Sequence, residues 1–249
     1  MNKKIKVISL VFGVIVFLAA CGSASSDAKK VEVKKAVSAE TITKVDAGNT
    51  AVAKTTKNVS QSKYQEGIHY VEIFPEMQTD AASDKVEVIE LMWLGCPHCY
   101  DLEPKMLDYK KNHPVFVEFK QVPAMLNPTW ASDGNTFYLA EILDPTGEKE
   151  LITRVFQSIH DQKRRLSSPE AVKRFFVSQG FTEEQVNNAR NSMAFQAKIK
   201  RAQEISASSQ ATSVPTIIIN GKYRTSPYIA GSEENLMEII DMLAKREKK

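Results

Sequence analysis

The chain has only three cysteines in 249 residues. A small scaffold stapled by several disulfides is therefore excluded. No apolar run reaches the roughly 20 residues that cross a bilayer, which argues against a permanent transmembrane helix. Residues 23–63 contain neither an aromatic residue nor a proline. Without apolar bulk such a stretch cannot offset its ordering entropy, and it is expected to be disordered. The formal net charge is only +3, so nothing in the composition indicates a nucleic-acid partner. The short basic runs near the C-terminus fit a solvated end. No internal repeat is present.

What is there begins with Lys3, Lys4 and Lys6, followed by an apolar run over residues 7–18. A basic n-region and a short h-region are the parts of an export signal. Leu18-Ala19-Ala20-Cys21 then resembles a bacterial lipobox, in which the cysteine is lipidated and becomes the mature N-terminus. Simple cleavage and an uncleaved anchor are the alternatives. Residues 1–21 are thus expected to be a lipoprotein-type export signal. Residues 22–63 are expected to be a tether, spanning roughly 35 Å root-mean-square as a coil.

From Tyr64 onward the hydrophobic pattern is that of a folded α/β protein. Residues 68–74 predict a short strand, and residues 85–93, rich in β-branched and apolar side chains, a mostly buried one. A helix is expected over residues 97–111, with Pro97 in its first turn and Pro104 kinking it. Residues 115–122 alternate as a strand. Apolar faces at Phe137, Leu139, Ile142 and Leu143, and at Leu151, Ile152, Val155, Phe156 and Ile159, then predict helices. Ser167 with Glu170, and Thr182 with Gln185, match the capping-box pattern. A helix over residues 193–208 follows. Residues 216–219 and 222–224 flank Asn220-Gly221 as a hairpin, and an amphipathic helix over residues 232–245 closes the chain. A βαβ unit, a hairpin and a final helix make a thioredoxin fold with an inserted all-helical domain: residues 64–127 and 209–249 around an insertion at 128–208.

Cys96-Pro97-His98-Cys99 sits where a strand meets a helix. With Cys21 assigned to the export signal, Cys96 and Cys99 are the only pair in the folded part. A loop this small removes little unfolded-state entropy, so it makes a poor staple. Its spacing suits redox chemistry. Unpaired N–H groups at a helix N-terminus favour a thiolate at Cys96, and Cys99 in the first turn can reach back to it. His98 adds a further stabilising group. The thiolate is the leaving group when a substrate thiol attacks, so a low pKa speeds oxidation of that substrate. A zinc site would need ligands from His69, His113 or His160, none at ligand spacing. Haem attachment needs a histidine where Tyr100 stands. No metal and no cofactor are expected; a purely structural disulfide stays open.

The run Trp93-Leu94-Gly95-Cys96-Pro97-His98-Cys99-Tyr100, with Glu103 following, resembles the active-site signature of the DsbA family. Val214-Pro215-Thr216, ahead of an isoleucine run and Asn220-Gly221-Lys222-Tyr223, resembles that family's cis-proline loop and hairpin. The likeness covers residues 64–245. It implies that Cys96 is the exposed nucleophile, Cys99 the buried resolving cysteine and His98 a stabiliser of the Cys96 thiolate. Pro97 belongs to the dipeptide that sets the redox potential. Pro215 would be cis, with the Val214 backbone open to an extended substrate. Glu90 would be a buried proton acceptor near Cys99, and Glu103 and Lys120 a charge pair beneath the site. The resemblance further implies a monomeric periplasmic enzyme that oxidises unfolded exported proteins and is reoxidised by a DsbB-like, quinone-linked membrane oxidase. A reductase or isomerase on the same fold is the runner-up, and a binding-only lipoprotein the non-enzymatic alternative. The lipobox and tether depart from the usual soluble family member and bear on the compartment: the chain would be membrane-held through Cys21.

Overall fold

A computed structural model describes residues 63–248. The expected export signal with Cys21, and all of the expected tether over residues 22–63 except its last residue, Lys63, lie outside the described residues.

Strand β1 (Val71–Glu72) is followed by β2 (Val86–Met92), helix α1 (Pro97–Asn112) and β3 (Val117–Pro123). Five helices come next: α2 (Pro128–Leu143), α3 (Leu151–His160), α4 (Pro169–Ser178), α5 (Glu183–Asn191) and α6 (Met193–Ser208). The chain then returns to the sheet as β4 (Thr216–Ile219) and β5 (Tyr223–Thr225) and ends in α7 (Pro227–Ala230) and α8 (Glu233–Glu247). The sheet order is β1-β5-β4-β2-β3. β2 runs parallel to β3 and antiparallel to β4. Paired on both sides, β2 is buried along its whole length. That is why residues 85–93 are rich in β-branched and apolar side chains, and why Glu87 and Glu90 among them are buried as well.

Side chains alternate across the sheet with period two, so its two faces feed two cores. Val86 and Val88, with Ile217 and Ile219, pack on Leu102 and Met106 of α1 and on Leu236, Ile240 and Leu243 of α8. Ile89, Leu91 and Ile218 belong to the other core, with Phe137, Phe156, Phe176, Phe195 and Ile205 of the helical block.

Three local expectations need correction. The strand expected at residues 68–74 shrinks to the pair Val71–Glu72, because Gly67 donates to the Tyr70 carbonyl and His69 to that of Gln65, closing a turn. The α4 cap is Ser168, not Ser167: its hydroxyl accepts from the Ala171 N–H at 3.2 Å. Proline is favoured at the first helical position, so Pro169 puts the cap one residue later, and Ala171 then stands where a capping box needs an acid or amide. Helix α7 was not anticipated. The Thr182–Gln185 capping box is present, with both reciprocal bonds. α1 continues through Pro104. In the hairpin, Asn220 and Gly221 both have positive φ, as a tight primed turn demands.

Candidate active site

The turn after β2 delivers Cys96 to the N-terminus of α1. Its N–H donates to the Trp93 carbonyl at 2.9 Å, and its own carbonyl accepts from Tyr100 N–H at 3.1 Å, the first helical bond. Cys96 is thus the N-cap, with Pro97 in the first helical position. The thiol therefore sits over donors that the helix itself leaves unpaired. Both thiols are free. A hydrogen bond from the Cys99 thiol, with help from the N–H groups of Cys99 and His98 and the His98 charge, outweighs burial and lowers the Cys96 pKa to about 6. Burial, then the shared hydrogen bond and the charge of Cys96, push Cys99 far upward. Two identical groups three residues apart are thereby split into a ready thiolate and a firmly protonated thiol.

Cys96 is less open than expected, at 7% exposure against 0% for Cys99. Part of its cover is the loop before β4. The Val214–Pro215 peptide is cis, and the Cys96 thiol donates to the Val214 carbonyl at 3.6 Å. Val214 is half-buried and Pro215 buried, while Pro97 and His98 are exposed. The site is a shallow surface made of α1's first turn and this loop.

Below the dithiol, Glu90 on β2 is fully buried. Burial, and then the neighbouring Glu103, raise its pKa to about 8, against the effect of a hydrogen bond from Gln121. Burial also raises Glu103, again opposed by Gln121. One amide nitrogen serves both acids: Gln121 Nε2 donates to Glu90 at 3.0 Å and to Glu103 at 2.7 Å. Each carboxyl keeps a second buried oxygen without a partner. The charge pair expected between Glu103 and Lys120 is not formed. Lys120 instead bridges Glu87 at 2.9 Å and Glu118 at 2.8 Å. Strand alternation is the reason: β3 pairs Lys120 with Ile89 and Gln121 with Glu90, so successive residues face opposite sides of the sheet. Gln121 is the residue sequence reasoning missed. Its signal lies in the β2–β3 register, which no local pattern encodes.

The family model described as Thioredoxin matches residues 79–242. The thiol:disulfide interchange protein DsbA of Pseudomonas aeruginosa is 32% identical over 185 residues, covering 74% of this chain and 86% of that protein. The chain belongs to the DsbA family. The DsbA of Azotobacter vinelandii is 30% identical over 198 residues, covering 80% of this chain and 91% of its own length. The crystal structure of Pseudomonas aeruginosa DsbA matches with a TM-score of 0.69 at 32% identity, over 74% of this chain and 94% of that one. Like the rest of the DsbA family, the protein is a thiol–disulfide oxidoreductase on a thioredoxin-like fold, and Cys96 and Cys99 are its dithiol pair. Among the described residues no cluster of three or more His, Cys, Asp or Glu could hold a metal ion. No helix among them is long and apolar enough to cross a membrane.

Proposed function

We propose that this DsbA-family enzyme inserts disulfide bonds into unfolded exported proteins. In the oxidised enzyme a substrate thiolate attacks Cys96 Sγ, and Cys99 leaves with the electron pair of the broken bond. A second substrate thiolate then attacks the mixed disulfide at the substrate sulfur and expels Cys96 as thiolate. The substrate is oxidised by two electrons and the enzyme reduced by two. The observation that carries this direction is the low pKa of Cys96, which makes it a good leaving group in the second step. His98 and the Pro97-His98 dipeptide tune that thiolate. Glu90, raised to about 8, gives a proton to the departing Cys99 and takes one back on reoxidation. The backbone at Val214 and Pro215 receives an extended substrate strand.

Reoxidation falls to a DsbB-like, quinone-linked membrane enzyme, and the protein acts as a monomer in the periplasm. Residues 1–21 direct export, Cys21 carries lipid, and residues 22–63 join it to the catalytic part. That part comprises residues 64–127 and 209–249, with residues 128–208 as the helical insertion.

The test is oxidation of a dithiol peptide by the oxidised enzyme, together with a glutathione redox titration. Wild type should oxidise the peptide and show a potential well above that of reducing thioredoxins. Cys96→Ser should be inactive, and reduced Cys99→Ala should trap a mixed disulfide when given an oxidised peptide. A strongly reducing potential with insulin reduction would replace this reading by a reductase.

A further inference from the structure

The helical block makes three polar contacts with the residues flanking the dithiol, and none of them belongs to the exchange chemistry described above. Trp93 directly follows β2, and its indole Nε1–H donates to Asp133 of α2 at 2.7 Å. The same ring stacks on Trp130 of α2, with centroids 4.9 Å apart and planes 16° from parallel. Asp133 is only 8% exposed, and Arg165, in the α3–α4 connection, approaches it at 3.6 Å. On α3, His160 Nε2 lies 2.8 Å from the Leu94 carbonyl. A carbonyl only accepts, so Nε2 carries the proton. The His160 ring stacks on Tyr100, 4.8 Å between centroids, and the Tyr100 hydroxyl donates to Asp161 at 2.7 Å.

These contacts converge on the turn Trp93-Leu94-Gly95, which ends at Cys96. The indole lies directly over Gly95, where a Cβ would overlap it. Trp93 also holds the cysteines through its peptide groups: its carbonyl accepts from Cys96 N–H at 2.9 Å, and its backbone hydrogen bond favours the charged form of Cys99. The turn is therefore gripped at Trp93 from α2 and at Leu94 from α3.

We propose that Asp133 and His160 are positioning residues of the helical block, acting through Trp93 and Leu94 to hold Cys96 over the first turn of α1. The proposal gives the inserted helices a part in setting the reactivity of the dithiol. It rests on the proposed function, in which Cys96 is the thiolate expelled in the exchange. A thiolate is favoured by short, aligned donors, so a loosened turn loses the Cys99 and His98 groups that now face the sulfur.

The experiment follows the ultraviolet absorbance of the Cys96 thiolate against pH in the full reduced protein, with peptide exchange rates and melting temperatures measured alongside. Asp133→Ala and His160→Phe should each shift the titration midpoint upward by roughly half a unit, about threefold in the ionisation constant. Asp133→Asn keeps an acceptor for the indole and should titrate like wild type. His160→Phe keeps the ring stack and loses only the donor. Trp93→Phe combined with Asp133→Ala should shift the midpoint no further than Trp93→Phe alone, because both break one chain of contacts. Trp93→Phe and His160→Phe carry the test if Asp133→Ala does not fold. Melting temperatures that drop while titration and exchange rates stay at wild-type values would overturn the proposal, as would additive shifts in the double variant. Cys96→Ser, run in parallel, separates the two failures. If it remains active, the identity of the thiolate is wrong; if it is inactive while the positioning variants behave like wild type, only the positioning role falls.

Discussion

Gln121 stands opposite Glu90 in the parallel register of β2 and β3, and its amide bonds the carboxyl at 3.0 Å. An amide can orient an acid without neutralising it. The Gln121 bond offsets only part of the effect of burial and of Glu103, and the Glu90 pKa stays at about 8.

That effect has a definite sign in stability. The pKa of Glu90 goes from 4.5 to about 8, so between those values the folded protein holds a proton that the unfolded chain has released. Stability from this group falls as pH rises through that window; below about 4.5 both states are protonated and nothing is lost. Glu90→Gln removes the penalty and should stabilise the protein by about 1–3 kcal/mol at pH 7, with little change at pH 4. The same variant should slow peptide oxidation and flatten its pH dependence. Denaturant melts at the two pH values check the first part; equal effects at both would mean that Glu90 ionises freely in the fold.

The dithiol carries the opposite sign. Cys96 is depressed from 9.0 to about 6, so its stabilisation is complete above pH ~9 and disappears as pH falls through ~6. The oxidised form has no such thiolate. Between pH 5 and pH 8 the reduced form should gain on the oxidised one by about 1–2 kcal/mol, after discounting for solvent screening. Melting temperatures of both forms at each pH give the difference, and a gap that stays constant would contradict a low thiolate pKa.

Lys120 offers a control on the other face of the sheet. Glu87 is 2% exposed and depends on Lys120 for its counter-charge. Lys120→Met leaves that carboxylate buried and unpaired, which should cost about 1–3 kcal/mol in stability. The Cys96 titration should not move, because Lys120 does not face Glu90 or Glu103. A shifted titration would put Lys120 back beneath the dithiol.

For Cys21 the expected outcome is a change of compartment. Wild type expressed in a bacterial host should fractionate with membranes, whereas Cys21→Ser should be released or left unprocessed. Free periplasmic wild type with an intact Cys21 thiol would remove the lipid anchor and leave the exchange chemistry untouched.

The sequence was most readable where the governing interactions are local. Pro97 in a first turn, the Thr182–Gln185 box, the Asn220-Gly221 turn and the long helix over residues 193–208 each depend on neighbours within a few positions, and each is present. The family signature supplied the rest of what was foreseen, including a buried acid at Glu90. Errors arose where partners are distant. Which β3 residue meets Glu103 depends on pairing between strands separated by a helix, and a one-residue difference there exchanges Lys120 for Gln121. The contacts of Trp93 and His160 with the active-site turn were illegible for the same reason: α2 and α3 are remote in sequence from the segment they hold.

The strand order has a consequence for the proposed function, oxidation of unfolded chains. Exposed sheet borders invite other polypeptides to add as extra strands and seed aggregates. Here one border is β1, with only two residues to offer. The other is β3, which carries Glu118 and Lys120 and ends at Pro123, a residue with no N–H to donate. Both borders are poor templates, while Pro97 and His98 beside Cys96 are exposed. A client chain is thus steered toward the sulfur chemistry and away from joining the sheet.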